Sequence, residues 1–134
     1  MEFLQSSELP ENFSYPPEFE HLVELGLVQL EPWWILEGDE LRQVQRGLRE
    51  RYPQRELVAF AARQDTDDVA CWERANSEFR VVIVHDFASS GWEGRKVFPS
   101  FYSWFVQAIQ DLVWFDTWPD GDPALDCERK TPSR

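Results

Sequence analysis

The stretch from residue 56 to residue 87, ELVAFAARQDTDDVACWERANSEFRVVIVHDF, decides the fold of this chain. It contains three runs of strand length, ELVAFAAR, DDVACWER and FRVVIVHDF, which have the β-type composition that favours strands. The separators QDT and ANSE are short and contain Asp, Asn and Ser, which stabilise tight turns through side-chain to backbone hydrogen bonds. The stretch therefore predicts three consecutive strands, most simply a meander.

Polar side chains gather at one end of this meander. Residues 81–84 are apolar without alternation, which predicts that the third strand is covered on both faces and central in its sheet. The ANSE turn reverses the chain, so the end of the third strand lies beside the beginning of the second. The clustered acidic rim predicted there consists of Asp65, Asp67, Asp68, His85 and Asp86.

Helices are expected on both sides of this stretch. Apolar residues at helical spacing predict a short first helix, which follows two prolines and ends near Gly26. A second helix is expected to begin with Asp39 as its N-cap and to end before Pro53, which cannot continue it. A third helix, rich in aromatic residues, is expected to begin after Ser100 and to provide most of the packing on the sheet.

A further strand region lies between the first two helices. Residues 28–38 predict one or two short strands broken by Pro32, with the side chains of Trp33 and Trp34 on opposite sides. The pattern as a whole predicts a single α+β domain with a mixed or mainly antiparallel sheet flanked by helices. Its boundaries are expected at residues 1–115, followed by an acidic, proline-rich tail at 116–134.

The charge of the chain limits its partners. There are 25 acidic side chains against 13 lysines and arginines, which gives a net charge of −12. Nucleic acids and anionic membranes need a basic face, so neither is an expected partner, and a cationic protein is favoured. Solubility alone explains the charge equally well. Arg42, Arg46 and Arg49 on the second helix form one locally basic patch, which a solvated helix face also explains.

The sequence predicts a cytoplasmic protein. The start, MEFLQSSELPENF, lacks the basic and apolar regions of a secretory signal, and no stretch reaches the roughly 18 apolar residues of a membrane span. Cys71 and Cys127 have no paired-thiol or zinc spacing, so both are expected to be free thiols in a reducing compartment.

No catalytic or metal-binding motif is found. If Gly121 takes the sixth position of a calcium loop, Trp118 and Cys127 fall on the third and twelfth positions, where oxygen ligands are required. The chain has only 2 histidines and neither a G-x-S-x-G elbow nor an H-E-x-x-H helix. We therefore predict no catalytic residues, no metal site, no cofactor and no enzymatic activity.

The order of the segments resembles a known family. The pieces WWIL, a helix closing in RYP, LVAFAARQDTDDVACW, VVIVHDFASSGWE and FPSFYSWFVQAI together resemble the SUKH superfamily, the Smi/Knr-type domain, across roughly residues 9–112. This resemblance implies an α+β fold, no catalytic constellation and a role in binding other proteins. Bacterial members are immunity proteins that bind and neutralise toxin domains, many of them nucleases or deaminases.

The resemblance and the charge lead to one functional hypothesis. The chain is predicted to neutralise a cognate bacterial toxin, of nuclease type, by stoichiometric binding, with the acidic protein occupying the basic substrate cleft. The alternative is an intracellular regulatory scaffold that binds endogenous proteins, and the oligomeric state is open. Trp72 and Trp92 are the candidate aromatic anchors. The positions predicted to bind the partner are Asp65, Asp67, Asp68, Trp72, His85, Asp86, Trp92 and Glu93.

The resemblance also leaves a structural role open for these positions. Phe60 is matched as a pattern residue, and several of the matched positions are equally consistent with maintaining the fold. In that interpretation Trp92 caps the core and His85 bonds a backbone carbonyl.

Overall fold

The computed structural model describes residues 1–88 and 93–115. A short 3-10 helix, Ser6–Glu8, precedes the main elements. In chain order these are α1 (Pro17–Glu24), β1 (Gln29–Leu30), β2 (Trp33–Ile35), α2 (Gly38–Arg51), β3 (Leu57–Arg63), β4 (Asp68–Ala75), β5 (Glu78–His85), β6 (Gly94–Phe98) and α3 (Phe101–Phe115). The strands form one sheet in the order β1-β2-β3-β4-β5-β6, and every pairing is antiparallel. The predicted α+β fold is confirmed, with a wholly antiparallel sheet.

The predicted meander corresponds to β3, β4 and β5. The β4–β5 register places Asp68 opposite His85 and Ala75 opposite Glu78, so the ANSE segment is a tight turn, as predicted. Residues 81–84 are buried, but β5 is the penultimate strand, not a central one. The strand beyond it is β6, which the sequence pattern does not indicate. Its residues are mostly exposed and carry no alternating apolar pattern, so only backbone pairing with β5 defines it.

The sheet has helices on both faces. Side chains alternate across a strand, and this alternation separates Trp33 from Trp34, as predicted. The indole Nε1 of Trp33 donates to Asp111 of α3 at 3.0 Å, whereas that of Trp34 donates to Glu40 of α2 at 3.0 Å. We call the two sides the α3 face and the α2 face. Helix α1 also lies on the α3 face, where Phe19 packs against Phe60 and other rings of the core.

An aromatic cluster fills the space between the sheet and α3. The ring of Phe60 lies 4.3 Å from that of Trp72 and 4.9 Å from that of Trp104, measured between centroids. Phe60 sits at a register shift in β3, between Ala59 and Ala61, which directs its ring into this cluster. The aromatic part of the core therefore lies on this face.

On the α2 face, a buried glutamine holds the helix to the sheet. The side chain of Gln45 donates to the carbonyl of Leu57 at 2.7 Å and accepts from the backbone N–H of Ala59 at 2.9 Å. Both groups lie on β3, and a fully satisfied buried amide fixes a single packing arrangement. Helix α2 therefore has a defined position over β3.

The N-terminal segment uses part of the predicted basic patch. Arg42 forms salt bridges with Glu2 and Glu8, each at 3.1 Å, and Arg49 donates to the carbonyl of Glu8. The Arg42 guanidinium holds the pKa of Glu8 below its ordinary value. Two of the three arginines therefore bind the N-terminal segment of the same chain. Arg46 is exposed.

Cys71 is fully buried in β4, and burial raises the pKa of its thiol well above the ordinary value. In a Cys127→Ser variant we expect Cys71 to be unreactive toward an aromatic disulfide reagent until urea unfolds the chain, because a buried thiol cannot form an accessible thiolate. The reaction should appear at the urea concentration at which the circular dichroism signal is lost. Rapid reaction of the folded variant would contradict this structure of β4.

Two remaining predictions concern the chain as a whole. Within the described residues, no helix is long and apolar enough to cross a membrane. The segment predicted as a tail, 116–134, lies outside the described residues, together with Cys127 and the region tested for a calcium loop.

Candidate partner-binding surface

Asp68 and His85 meet at the end of the sheet, as the sequence predicted. They are register partners on β4 and β5, and the Nδ1 atom of His85 lies 2.9 Å from Oδ1 of Asp68. The same carboxylate oxygen lies 3.4 Å from Nε of Arg95 on β6. These side chains are on the α3 face, so Asp68 connects His85 and Arg95 across three adjacent strands.

Asp86 points to the opposite side of the sheet from His85. Its carboxylate accepts hydrogen bonds from Nε and Nη2 of Arg51 at 2.8 and 2.7 Å, and it is almost fully buried. The backbone N–H of Asp86 also donates to the carbonyl of Asp67 at 2.9 Å. Residues adjacent in a strand face opposite ways, so the predicted rim is divided between the two faces.

Glu93 belongs to a second buried network on the α2 face. Arg55 donates to both carboxylate oxygens of Glu73, at 2.6 and 2.7 Å, and to Glu93 at 3.0 Å. These hydrogen bonds to Glu73 raise the pKa of Arg55 above its ordinary value. The backbone N–H of His85 donates to the carbonyl of Glu93 at 2.7 Å. Glu93 therefore fixes the start of β6 and is not presented to a partner.

A cleft of about 330 Å³ lies on the α3 face beside the Asp68–His85 pair. Arg63 forms salt bridges there with Asp65 at 2.6 Å and with Asp111 of α3 at 3.3 Å. The indole of Trp104 lines the cleft, and its buried Nε1 has no hydrogen-bond partner among the described residues. The cleft thus contains charges of both signs, most of them paired with each other, so it attracts neither anions nor cations strongly.

The predicted anchor Trp72 lies in the core. Its side chain is 2% exposed and contacts the rings of Phe13, Tyr15 and Phe19 as well as the Phe60 cluster. It therefore cannot contact a partner in this structure, and its role here is to maintain the fold. The other predicted anchor, Trp92, lies outside the described residues.

The exposed aromatic residue at this end of the molecule is Phe87. Its side chain is 68% exposed, and its backbone has φ of +66°, a left-handed conformation that is strained for a bulky residue. The Arg51 guanidinium lies 4.0 Å from the ring centroid, and the Asp86 carboxylate accepts from the Phe87 N–H at 2.9 Å. The Arg51–Asp86 pair thus holds Phe87 in this orientation.

Exposed carboxylates lie on the elements next to Phe87. Asp65 and Asp67 are exposed on the β3–β4 turn, and Asp67 is linked to the strand end through the backbone of Asp86. Glu50 is exposed on α2, next in the chain to Arg51. We call Glu50, Asp65, Asp67 and Phe87 the acidic rim surface. Of its members, sequence reasoning identified only Asp65 and Asp67.

Few of the described side chains in this region could take part in catalysis. The described residues include no group of three or more His, Cys, Asp or Glu side chains that could hold a metal ion. His85 and Asp68 form a base-like pair, but the raised pKa of the buried Cys71 thiol makes it a poor nucleophile.

Comparison of the chain with protein-family models, with curated proteins and with solved structures found no match.

Proposed function

We propose that this chain is a protein-binding module, an immunity protein that neutralises a cognate nuclease-type bacterial toxin by stoichiometric binding. The observation that carries the proposal is the acidic rim surface, where an exposed aromatic ring lies at the same strand end as exposed carboxylates. The resemblance to the SUKH superfamily noted above supports the same class of function. In this proposal the chain acts in the cytoplasm, needs no cofactor, performs no catalytic step and does not bind nucleic acid.

The pairing of charges within the chain supports an interaction with a cationic partner. Most arginines of the described residues are already engaged by carboxylates of the same chain, as in the pairs of Arg51 with Asp86 and of Arg55 with Glu73. Asp67 and Glu50 are exposed and form no salt bridge with the described residues. The negative charge of Asp67 and Glu50 is therefore not neutralised by a salt bridge within the described residues, and it favours fast capture of a basic domain.

Charge speeds the association of the complex, whereas the exposed ring of Phe87 slows its dissociation. Aromatic residues that enter a pocket at the centre of an interface provide most of the binding energy. Backbone strain at an exposed, ordered residue is typical of functional sites, because the strain lowers the stability of the fold and brings no packing in return. We therefore assign Phe87 as the anchor and Asp65, Asp67 and Glu50 as the steering charges.

The direct test is titration of the purified chain with the catalytic domain of a toxin encoded next to it. We expect a 1:1 complex with a Kd in the nanomolar range or below, which is an affinity that interfaces of about 1,600 Å² can reach. The association rate should fall several-fold between about 50 and 200 mM salt because surface charges are then screened. A chain that binds only housekeeping proteins would instead support the regulatory scaffold.

Two variants should separate the roles of charge and ring. Asp67→Lys is expected to lower the association rate about three- to tenfold and to leave the dissociation rate nearly unchanged, because rim charges act mainly before contact. Phe87→Ala should raise the dissociation rate about 30-fold, corresponding to an anchor worth roughly 2 kcal/mol. Stopped-flow association and surface-immobilised dissociation measurements give the two rates.

Matched controls lie at the opposite edge of the sheet. Glu24→Lys makes the same charge change at an exposed site near β1, and Leu25→Ala shortens an exposed apolar side chain there. Both should bind the toxin domain with rates within about twofold of the wild type. If Glu24→Lys slows association as much as Asp67→Lys does, net charge and not the acidic rim surface governs capture.

A further inference from the structure

The solvent side of α3 carries an apolar stripe. Tyr102 is 62% exposed, Val106 is 57% exposed and Val113 is 56% exposed, while Ile109 is half-buried. The spacing of these four positions is four, three and four residues, which aligns them along one side of an α-helix. The core side of the same helix is occupied by Phe101, Trp104 and Ala108. Ile109 also packs partly against the core, so the exposed members of the stripe, Tyr102, Val106 and Val113, are the ones additional to the packing that holds α3 on the sheet.

The stripe has no charge in a chain of net charge −12. Asp111 is the single charged residue of α3, and it points toward the cleft, where it accepts hydrogen bonds from Trp33 and Gln107 and pairs with Arg63. The residues beside the stripe on the solvent side, Ser103 and Gln110, are uncharged. A surface without carboxylates has no attraction for a basic partner, but it is where two copies of an acidic chain can meet with the least repulsion.

The stripe is also symmetric about the middle of the helix. If two α3 helices pack antiparallel about a two-fold axis, Tyr102 of one copy faces Val113 of the other, and Val106 faces Ile109 of the other. A two-fold interface requires such self-complementarity, because the same patch is used by both copies. We propose that the apolar stripe of α3 is the docking surface for a second copy of this chain, packed as an antiparallel helix pair.

The expected dimer is weak. A helix of 15 residues is about 22 Å long, so one helix pair buries less area than a standard stable interface. We expect a Kd in the micromolar range, with dimer dominant at about 100 µM and monomer dominant below about 1 µM. This inference does not depend on toxin binding, since the acidic rim surface and the stripe involve different elements.

Sedimentation velocity of the full chain across this concentration range is the test. Val106→Asp and Val106→Lys should both be monomeric at about 100 µM, because either charge would be buried against Ile109 of the second copy. The control Val97→Asp changes an exposed valine on β6 and should dimerise like the wild type. All three variants should keep the thermal midpoint of the wild type within a few degrees, since both valines are exposed.

Salt provides an independent readout. Raising the salt concentration should strengthen the dimer or leave it unchanged, because it screens repulsion between two acidic copies. A wild-type chain that is monomeric at about 100 µM overturns the proposal. So does a Val106→Lys variant that dimerises normally, which would place the contact on another surface, and so does a dimer that dissociates in high salt.

Discussion

Trp72→Ala is expected to lower the free energy of unfolding by about 3–5 kcal/mol, the range for removal of a fully buried aromatic side chain. The indole contacts rings from the N-terminal segment, α1, β3 and α3, so the cavity left behind would adjoin several elements and could not close by a local shift. Urea unfolding followed by circular dichroism measures this loss, with the midpoint falling and the slope nearly constant.

Trp72→Phe provides the comparison. The buried Nε1 atom of Trp72 has no hydrogen-bond partner within residues 1–88 and 93–115, so phenylalanine removes an unsatisfied donor along with part of the ring area. We expect a smaller loss, about 1–2 kcal/mol. Both variants should bind the toxin domain normally under conditions in which they are folded. A Trp72→Ala variant of wild-type stability that has lost partner binding would restore Trp72 as an interface anchor.

Arg55→Ala is the second substitution with a large expected effect, again about 3–5 kcal/mol, because it leaves two buried carboxylates without their shared cation. Glu73 and Glu93 are both buried, and Arg80, the other cation near Glu73, is 3.7 Å away and more exposed. The net negative charge of the chain makes an uncompensated buried carboxylate still less favourable. Chemical unfolding at neutral pH gives the difference in stability directly.

Two further variants provide smaller expected losses for comparison with Arg55→Ala. Arg55→Lys keeps the charge but cannot reproduce the two-oxygen contact with Glu73, so an intermediate loss of about 1–3 kcal/mol is expected. Arg95→Ala removes a half-exposed cation 3.4 Å from Asp68 and should cost less than about 1 kcal/mol. Equal losses for Arg55→Ala and Arg95→Ala would mean that the buried network has no special energetic role.

The sequence was most informative where local chemistry determines local structure. The ANSE turn and the three runs around it defined β3, β4 and β5 and brought Asp68 beside His85, because turn residues and β-type composition act over short distances. Strand β6 was missed because its side chains are exposed and its identity depends on pairing with β5. An edge strand of this kind has no apolar pattern of its own.

The candidate site was harder to predict because it depends on which face each side chain takes. The sequence grouped His85 with Asp86, but alternation sends the first toward α3 and the second toward Arg51 of α2. The arginines that neutralise Asp86 and Glu93 lie at least 35 residues earlier in the chain, and no sequence pattern reports that pairing. The position of Phe87 directly after the strand end was the one sequence feature that could have marked it as a site residue. Its left-handed backbone conformation is visible only in the structure.

The order of the strands has a consequence for how the chain folds. Every strand pairs with the strand next to it in the sequence, so each pairing can form as soon as its later strand is synthesised, without waiting for a segment further along the chain. Helix α3, which supplies Phe101 and Trp104 to the aromatic cluster, follows all six strands. During synthesis the sheet therefore leaves Phe60 and Trp72 without the part of their packing that α3 supplies until that helix leaves the ribosome. This interval is when the nascent chain should be most prone to aggregation and most dependent on chaperones.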